Sequence, residues 1–294
     1  MERGGGSARV GVSQALDLDV GDGLTLHVER DGSGPPLLLL HGFTGSTITW
    51  STLRAALRDR FELLIIDLPG HGRSSAPTDP ARYALPRVAD DIARVLDALD
   101  VARTAVLGYS MGARTALQFA LAHPERVSAL VLESASPGIG DPTERSARVA
   151  ADGALAASIE REGIETFVDR WEKLPLWASQ VALGPVTRAR LRAERLAQRP
   201  EGLANSLRGA GAGVESPVTE RLGSIAAPVL LIVGALDTKY VALGRAMQER
   251  LPDARLEVVE NAGHAVHLER PEAFAALVGG FVDALPEANR ASPL

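Results

Sequence analysis

Five nearly unbroken apolar runs constrain this chain most: "PPLLLLHG", "FELLIIDL", "TAVLGYS", "VSALVLESAS" and "APVLLIVGALD". A strand with one wet face alternates apolar and polar residues, so runs this continuous require cover on both faces, as in a parallel sheet between two helical layers. The stretches between them have helical spacing. One lies near Thr47 to Asp59, and in another Val88, Ile92, Val95, Leu96 and Leu99 fall on one helical face. Strand and helix in alternation predict an α/β class, a mostly parallel doubly wound sheet. Ahead of it, "ALDLDV" and "LTLHVE" alternate around Gly21-Asp22-Gly23 and predict an antiparallel hairpin. At the far end, "ARLEVVENAGH" restores a strand and "PEAFAALVGGFVDAL" closes with a helix.

Residues 1–13 are rich in Gly and Ser and read as a flexible N-terminus. The core is expected over 14–140 and 224–288. Between these, over 141–223, strand signals vanish and four helical stretches appear, "PTERSARVAADGALAASIERE", "IETFVDRWEKL", "VTRARLRAERLAQ" and "LANSLRGAG". Helices inserted between two halves of one sheet read as a lid. The chain carries 31 Lys and Arg against 37 Asp and Glu, a formal charge of -6, which argues against a nucleic-acid partner. It has no cysteine, so thiol catalysis and disulfides are excluded. No apolar run has the length of a membrane span and the start lacks a signal-peptide pattern, so a cytoplasmic location is expected.

"GYSMG" sets Ser110 between glycines at the second position on either side, where an apolar strand meets the helix "MGARTALQFALAHP". Glycines also mark ordinary strand-to-helix turns; the chemical reading is a strained elbow that exposes a serine oxygen. A serine alcohol needs a histidine to take its proton, and the histidine needs a carboxylate to fix its tautomer. "LLIVGALD" ends in Asp237 and "LEVVENAGH" runs into His264, both beyond strand carboxyl ends and in the order Ser, Asp, His. Taken singly, Asp237 reads equally as a helix N-cap and His264 as a loop histidine; arriving together they read as a catalytic triad. Donors for developing negative charge are expected from the N–H groups of Phe43, in "HGFTGS", and Met111, at a helix start. "DLPGHGRSSAP" shapes the site, and its His71 has no evident partner.

These segments, in this order, resemble the α/β-hydrolase fold superfamily over residues 20 to 286. Serine at position 110 is unlike the epoxide hydrolase and haloalkane dehalogenase branches, which carry aspartate there. Finer features resemble the 2-succinyl-6-hydroxy-2,4-cyclohexadiene-1-carboxylate synthase family of menaquinone biosynthesis. They are "GYSMGAR", Glu133 with Pro137-Gly138, the Trp171 to Pro175 segment and "DTKY" at Asp237. Ala113 departs from that family's usual glycine. The resemblance implies a lyase that releases pyruvate from a cyclohexene bearing three carboxylates, without metal or organic cofactor. It further implies that Tyr109, Arg114, Arg148, Trp171 and Arg195 contact substrate, the three arginines binding carboxylates.

The residues themselves leave alternatives open. Guanidinium grips carboxylate bidentately, so a small-molecule polycarboxylate calls for several arginines. Yet residues 141–223 hold 12 Lys and Arg against 12 Asp and Glu, so only specific positions carry the argument. The same triad serves a hydrolase of carboxylic esters or C–C bonds, with Ser110 as nucleophile, and the fold also hosts catalytically silent binding proteins.

Overall fold

The computed structural model describes residues 13–286; the expected flexible start, apart from Ser13, and the last two residues of the expected core lie outside it. β1 (Gln14–Asp19) and β2 (Thr25–Gly32) form the antiparallel hairpin. β3 (Pro36–Leu40), β4 (Glu62–Ile66), β5 (Thr104–Tyr109), β6 (Val127–Glu133), β7 (Val229–Gly234) and β8 (Ala254–Val259) follow. Their order across the sheet is β1-β2-β4-β3-β5-β6-β7-β8, antiparallel at the first two pairings and parallel thereafter.

The apolar runs are covered on both faces. Leu38 and Leu40 join a core with Val106 and Leu130, under α2 (Leu85–Ala98) and α3 (Met111–Ala122), while α1 (Ser51–Leu57) lies on the opposite side. Leu37 and Leu39 join that second core with Leu63 and Leu107. Each fully buried leucine contributes about 2 kcal/mol, so successive leucines stabilise both interfaces of a central strand at once.

The chain leaves β3 for β4 on one side and returns to β5 on the other. Strand order therefore switches between β3 and β5, and a crevice opens beyond their carboxyl ends. The Phe43 loop follows β3 and Ser110 follows β5, so this switch point sets them side by side.

The helical insertion lies between β6 and β7. α4 (Pro142–Trp171) begins where the Asp141 carboxylate accepts the Glu144 N–H, and it breaks at Gly163 (φ 81°), where the sequence placed the boundary between two helices. A 3-10 segment (Pro175–Ala182), α5 (Pro185–Leu196) and α6 (Pro200–Ala210) complete it. Ile159, Phe167 and Val168 pack on Leu203 and Leu207 as a separate small core. Beyond it come α7 (Thr238–Gln248), α8 (Val266–Glu269) and α9 (Pro271–Asp283), whose Phe274 and Val278 cover the second core. No described helix is long and apolar enough to cross a membrane.

Candidate active site

Ser110 stands between β5 and α3 with φ 52° and ψ -105°, a backbone that costs about 1–3 kcal/mol for a residue with a Cβ. Close packing imposes it. A Cβ on Gly108 would lie 2.3 Å from the Gly112 oxygen, and one on Gly112 would lie 2.1 Å from the Leu40 oxygen. Strand, helix and the end of β3 thus approach more closely than any side chain permits, a demand that an ordinary turn does not make.

The three side chains named from the sequence meet here. Ser110 Oγ–H donates to His264 Nε2 at 3.0 Å, and His264 Nδ1–H donates to Asp237 Oδ2 at 2.8 Å. Asp237 is also the N-cap of α7: its Oδ1 accepts the Tyr240 N–H at 3.4 Å. The helix cap and the contact with His264 thus take one carboxylate oxygen each. His264 is 2% exposed, and its loop is tied down by Ser134 Oγ–H donating to the His264 carbonyl at 2.8 Å and by Gly263 N–H donating to Glu269.

Glu133 entered the sequence reading only through a family likeness. Its fully buried carboxylate, at the end of β6, takes both the backbone N–H and the Nδ1–H of His267, at 3.0 and 2.8 Å. That fixes α8, which begins two residues after His264. The His267 ring in turn packs edge-on to Tyr109, the residue before Ser110, at 4.6 Å.

Two more buried imidazoles hold the loops. His41 Nδ1–H donates to the Gly42 carbonyl and its Nε2 accepts the Leu68 N–H, at 2.8 and 3.0 Å, joining the ends of β3 and β4. Burial lowers its pKa to about 4. His71, without a partner in the sequence reading, donates Nδ1–H to Pro69 and packs between His41 and Phe43; burial, with His41 nearby, lowers it to about 3. Among the described residues neither the Phe43 nor the Met111 N–H has a protein acceptor, and both residues line the cavity over Ser110.

That cavity holds about 170 Å³ and is bounded by Tyr109, Arg114, Arg148, Trp171, Lys239 and Tyr240 besides Ser110 and His264. Arg114 Nη2 donates to the Ala210 carbonyl at 2.8 Å, while its Nη1 is buried with no partner; burial holds this guanidinium below its ordinary pKa. Arg148 donates Nε–H to both oxygens of the buried Asp152, four residues on, at 2.8 and 2.9 Å. Burial raises the Asp152 carboxyl, and the Arg148 charge opposes the rise. Trp171 packs edge-on to Phe43 and at a tilt to Trp177, the latter set edge-on to His264.

Arg195 is elsewhere. It lines an adjoining cavity of about 380 Å³ whose wall Trp177 shares with the first, and there it donates to Glu172 at 3.2 Å and lies over the Trp177 ring. Nearby in the insertion, Arg192 pairs with Asp169 and Glu172, and Arg199 donates to the Ser74 carbonyl.

Residues 35–271 match the family described as alpha/beta hydrolase fold. A Bacillus subtilis (strain 168) protein named "Putative 2-succinyl-6-hydroxy-2,4-cyclohexadiene-1-carboxylate synthase" is 41% identical over 272 residues, 92% of this chain and 99% of that protein. A 2-succinyl-6-hydroxy-2,4-cyclohexadiene-1-carboxylate synthase from Serratia proteamaculans (strain 568) is 30% identical, over 86% of this chain and 95% of its own. The solved structure of MenH from S. aureus superposes with a TM-score of 0.84 at 32% identity, covering 88% of this chain and 97% of the other. Matched along most of its length in both sequence and shape, the chain belongs to the alpha/beta hydrolase fold family and is similar within it to the 2-succinyl-6-hydroxy-2,4-cyclohexadiene-1-carboxylate synthases.

Proposed function

We propose that the protein is a carbon–oxygen lyase of menaquinone biosynthesis. It converts 2-succinyl-5-enolpyruvyl-6-hydroxy-3-cyclohexene-1-carboxylate to 2-succinyl-6-hydroxy-2,4-cyclohexadiene-1-carboxylate and pyruvate. The observation that carries this reading is the convergence of Arg114 and Arg148 on the cavity that contains Ser110, with one buried Arg114 N–H unpartnered. An ester hydrolase has no use for a buried cation that lacks a carboxylate, whereas a polycarboxylate supplies the missing acceptor.

In the proposed reaction Ser110 is the general base. Its oxygen takes the ring proton alpha to the succinyl carbonyl as its own proton passes to His264 Nε2, and Asp237 stabilises the imidazolium. The electron pair of the broken C–H bond forms a double bond between ring carbons 2 and 3, the existing 3,4 double-bond pair shifts to carbons 4 and 5, and the carbon 5–oxygen bond to the enolpyruvyl group breaks. The departing enolate takes a proton on carbon from the His264 imidazolium and becomes pyruvate, which leaves Ser110 and His264 in their starting states. The Phe43 and Met111 N–H groups stabilise the negative charge on the succinyl oxygen. Arg114 and Arg148 hold ring and side-chain carboxylates, Tyr109 and Trp171 supply the walls, and the insertion over 141–223 serves as the lid. Arg195 acts from the adjoining cavity, across Trp177. No metal or organic cofactor enters the scheme.

A hydrolase of esters or C–C bonds is the rival, favoured by the 29% identity to a pimeloyl-[acyl-carrier protein] methyl ester esterase of Aeromonas hydrophila. The deciding experiment follows pyruvate release from the cyclohexene substrate while enzyme quenched in turnover is weighed by mass spectrometry. Stoichiometric pyruvate with unmodified Ser110 is expected. An accumulating acyl adduct on Ser110, with no pyruvate, refutes the lyase.

A further inference from the structure

The loop that carries Phe43 is held at its downstream end by the helical insertion as well as by the sheet, where Thr47 N–H donates to Asp67 and Thr47 Oγ–H donates to Glu29 of β2. Residues 42–45 form a turn closed by Gly45 N–H donating to the Gly42 carbonyl at 3.0 Å, and Thr44 sits at φ 69° within it. Upstream, the His41 imidazole grips that same Gly42 carbonyl. Downstream, one oxygen of Glu194, on α5, accepts three hydrogen bonds: Ser46 N–H and Ser46 Oγ–H at 2.8 Å and Thr49 Oγ–H at 2.7 Å. One turn further along, Gln198 donates Nε2–H to the Gly45 carbonyl at 3.1 Å and accepts the Gly72 N–H at 3.0 Å. Glu194 and Gln198 are 6% and 4% exposed, so water does not replace these bonds in the folded protein.

We propose that Glu194 and Gln198 are positioning residues that align the Phe43 N–H for the oxyanion, acting through the turn at residues 42–45. A buried carboxylate gathering three donors is a strong clamp. A shift of about 1 Å in a catalytic donor costs up to roughly a hundredfold in rate. The insertion is then part of the catalytic frame as well as a cover, and its docking on the Phe43 loop assembles the oxyanion donors. The inference rests on the oxyanion role of Phe43 in the reading above, but not on the identity of the substrate.

The test compares Glu194→Ala, Glu194→Gln, Gln198→Ala and, as a control at an exposed position of α5, Arg190→Ala. Two readouts are used: kcat and KM for pyruvate release, and the rate at which a fluorophosphonate labels Ser110. In labelling, the serine oxygen bonds to phosphorus, fluoride leaves, the proton goes to His264, and the phosphoryl oxygen uses the same donors. Glu194→Ala is expected to lower kcat and labelling about tenfold or more with KM changed less than threefold. Glu194→Gln, which keeps the acceptor oxygen, should recover to within about threefold of the parent, and Gln198→Ala should fall between. Arg190→Ala should match the parent. Parental labelling by a folded Glu194→Ala enzyme overturns the proposal; should that variant not fold, parental labelling by Gln198→Ala does so. Loss of labelling in Glu194→Ala, in a protein that releases no pyruvate, upholds the positioning role and rejects the lyase instead.

Discussion

Replacing Arg114 with methionine should weaken catalysis and strengthen the fold at once. The guanidinium is buried, meets one neutral acceptor, the Ala210 carbonyl, and no carboxylate lies within ion-pair distance of it among the described residues. An uncompensated buried cation costs several kcal/mol, and its depressed pKa expresses the same penalty. Methionine removes the charge and fills similar volume, while the Ala210 carbonyl loses a partner at about 1 kcal/mol. The net effect on stability is about 1 kcal/mol or more in favour of the variant, a rise of roughly 2–4 °C for a chain of this size. Turnover responds oppositely. A charge-assisted hydrogen bond to a substrate carboxylate is worth about 1.5–3 kcal/mol, so kcat/KM should drop roughly 10- to 150-fold. Arg114→Lys retains the charge without the fork and should lie between. Calorimetry or thermal melting, paired with pyruvate release, measures both. A variant that melts several degrees lower and keeps its kcat/KM refutes the argument, because Arg114 is then a structural strut to Ala210.

Asp237→Asn preserves the helix cap, since Asn caps about as well as Asp, but offers His264 the wrong tautomer; turnover should fall about 10⁴-fold with a thermal midpoint near the parent's. Retention of a tenth of the activity counts against Asp237 as the acid. Stability should also depend on the buried imidazoles. His41 and His71 have folded pKa values of about 4 and about 3, against 6.5 for the free group, so from pH 6.5 down to about 4 for His41 and about 3 for His71 the unfolded chain binds more protons. Their contribution is complete above pH 6.5 and is lost as pH falls through that window, about 2 kcal/mol each at pH 5. Burial raises Asp67, Asp152 and Glu194, which works in the opposite direction, so the contrast to measure is parent against His71→Gln. Urea unfolding at pH 7.5 and pH 5 should show a smaller acid loss in His71→Gln; an equal loss shows that His71 is not a source of it.

What the sequence disclosed and what it concealed divide along chemical lines. The sheet was legible because an apolar run records its own burial: Leu37 to Leu40 belong alternately to two cores, and no distant residue is needed to infer it. The break at Gly163 was legible for a like reason, a helix interrupted by the residue that most readily adopts φ 81°. The serine elbow, the acid and the histidine were each written at the end of a strand, and the sheet brings strand ends together. The buried carboxylates were not legible. Glu133 meets His267, 134 residues away, and Glu194 meets Ser46, 148 away, and neither has a local pattern that distinguishes it from a solvated surface charge. The arginines show the same limit within the insertion. Arg114, on the helix that starts just after Ser110, inherits its place from the elbow. Arg195 stands beside Glu194 on α5, and Glu172 and Gln180 draw its side chain to the far side of Trp177. A helix position specifies a face, but the partner that meets that face decides which cavity the charge enters, and partners of this kind come from other elements of the insertion.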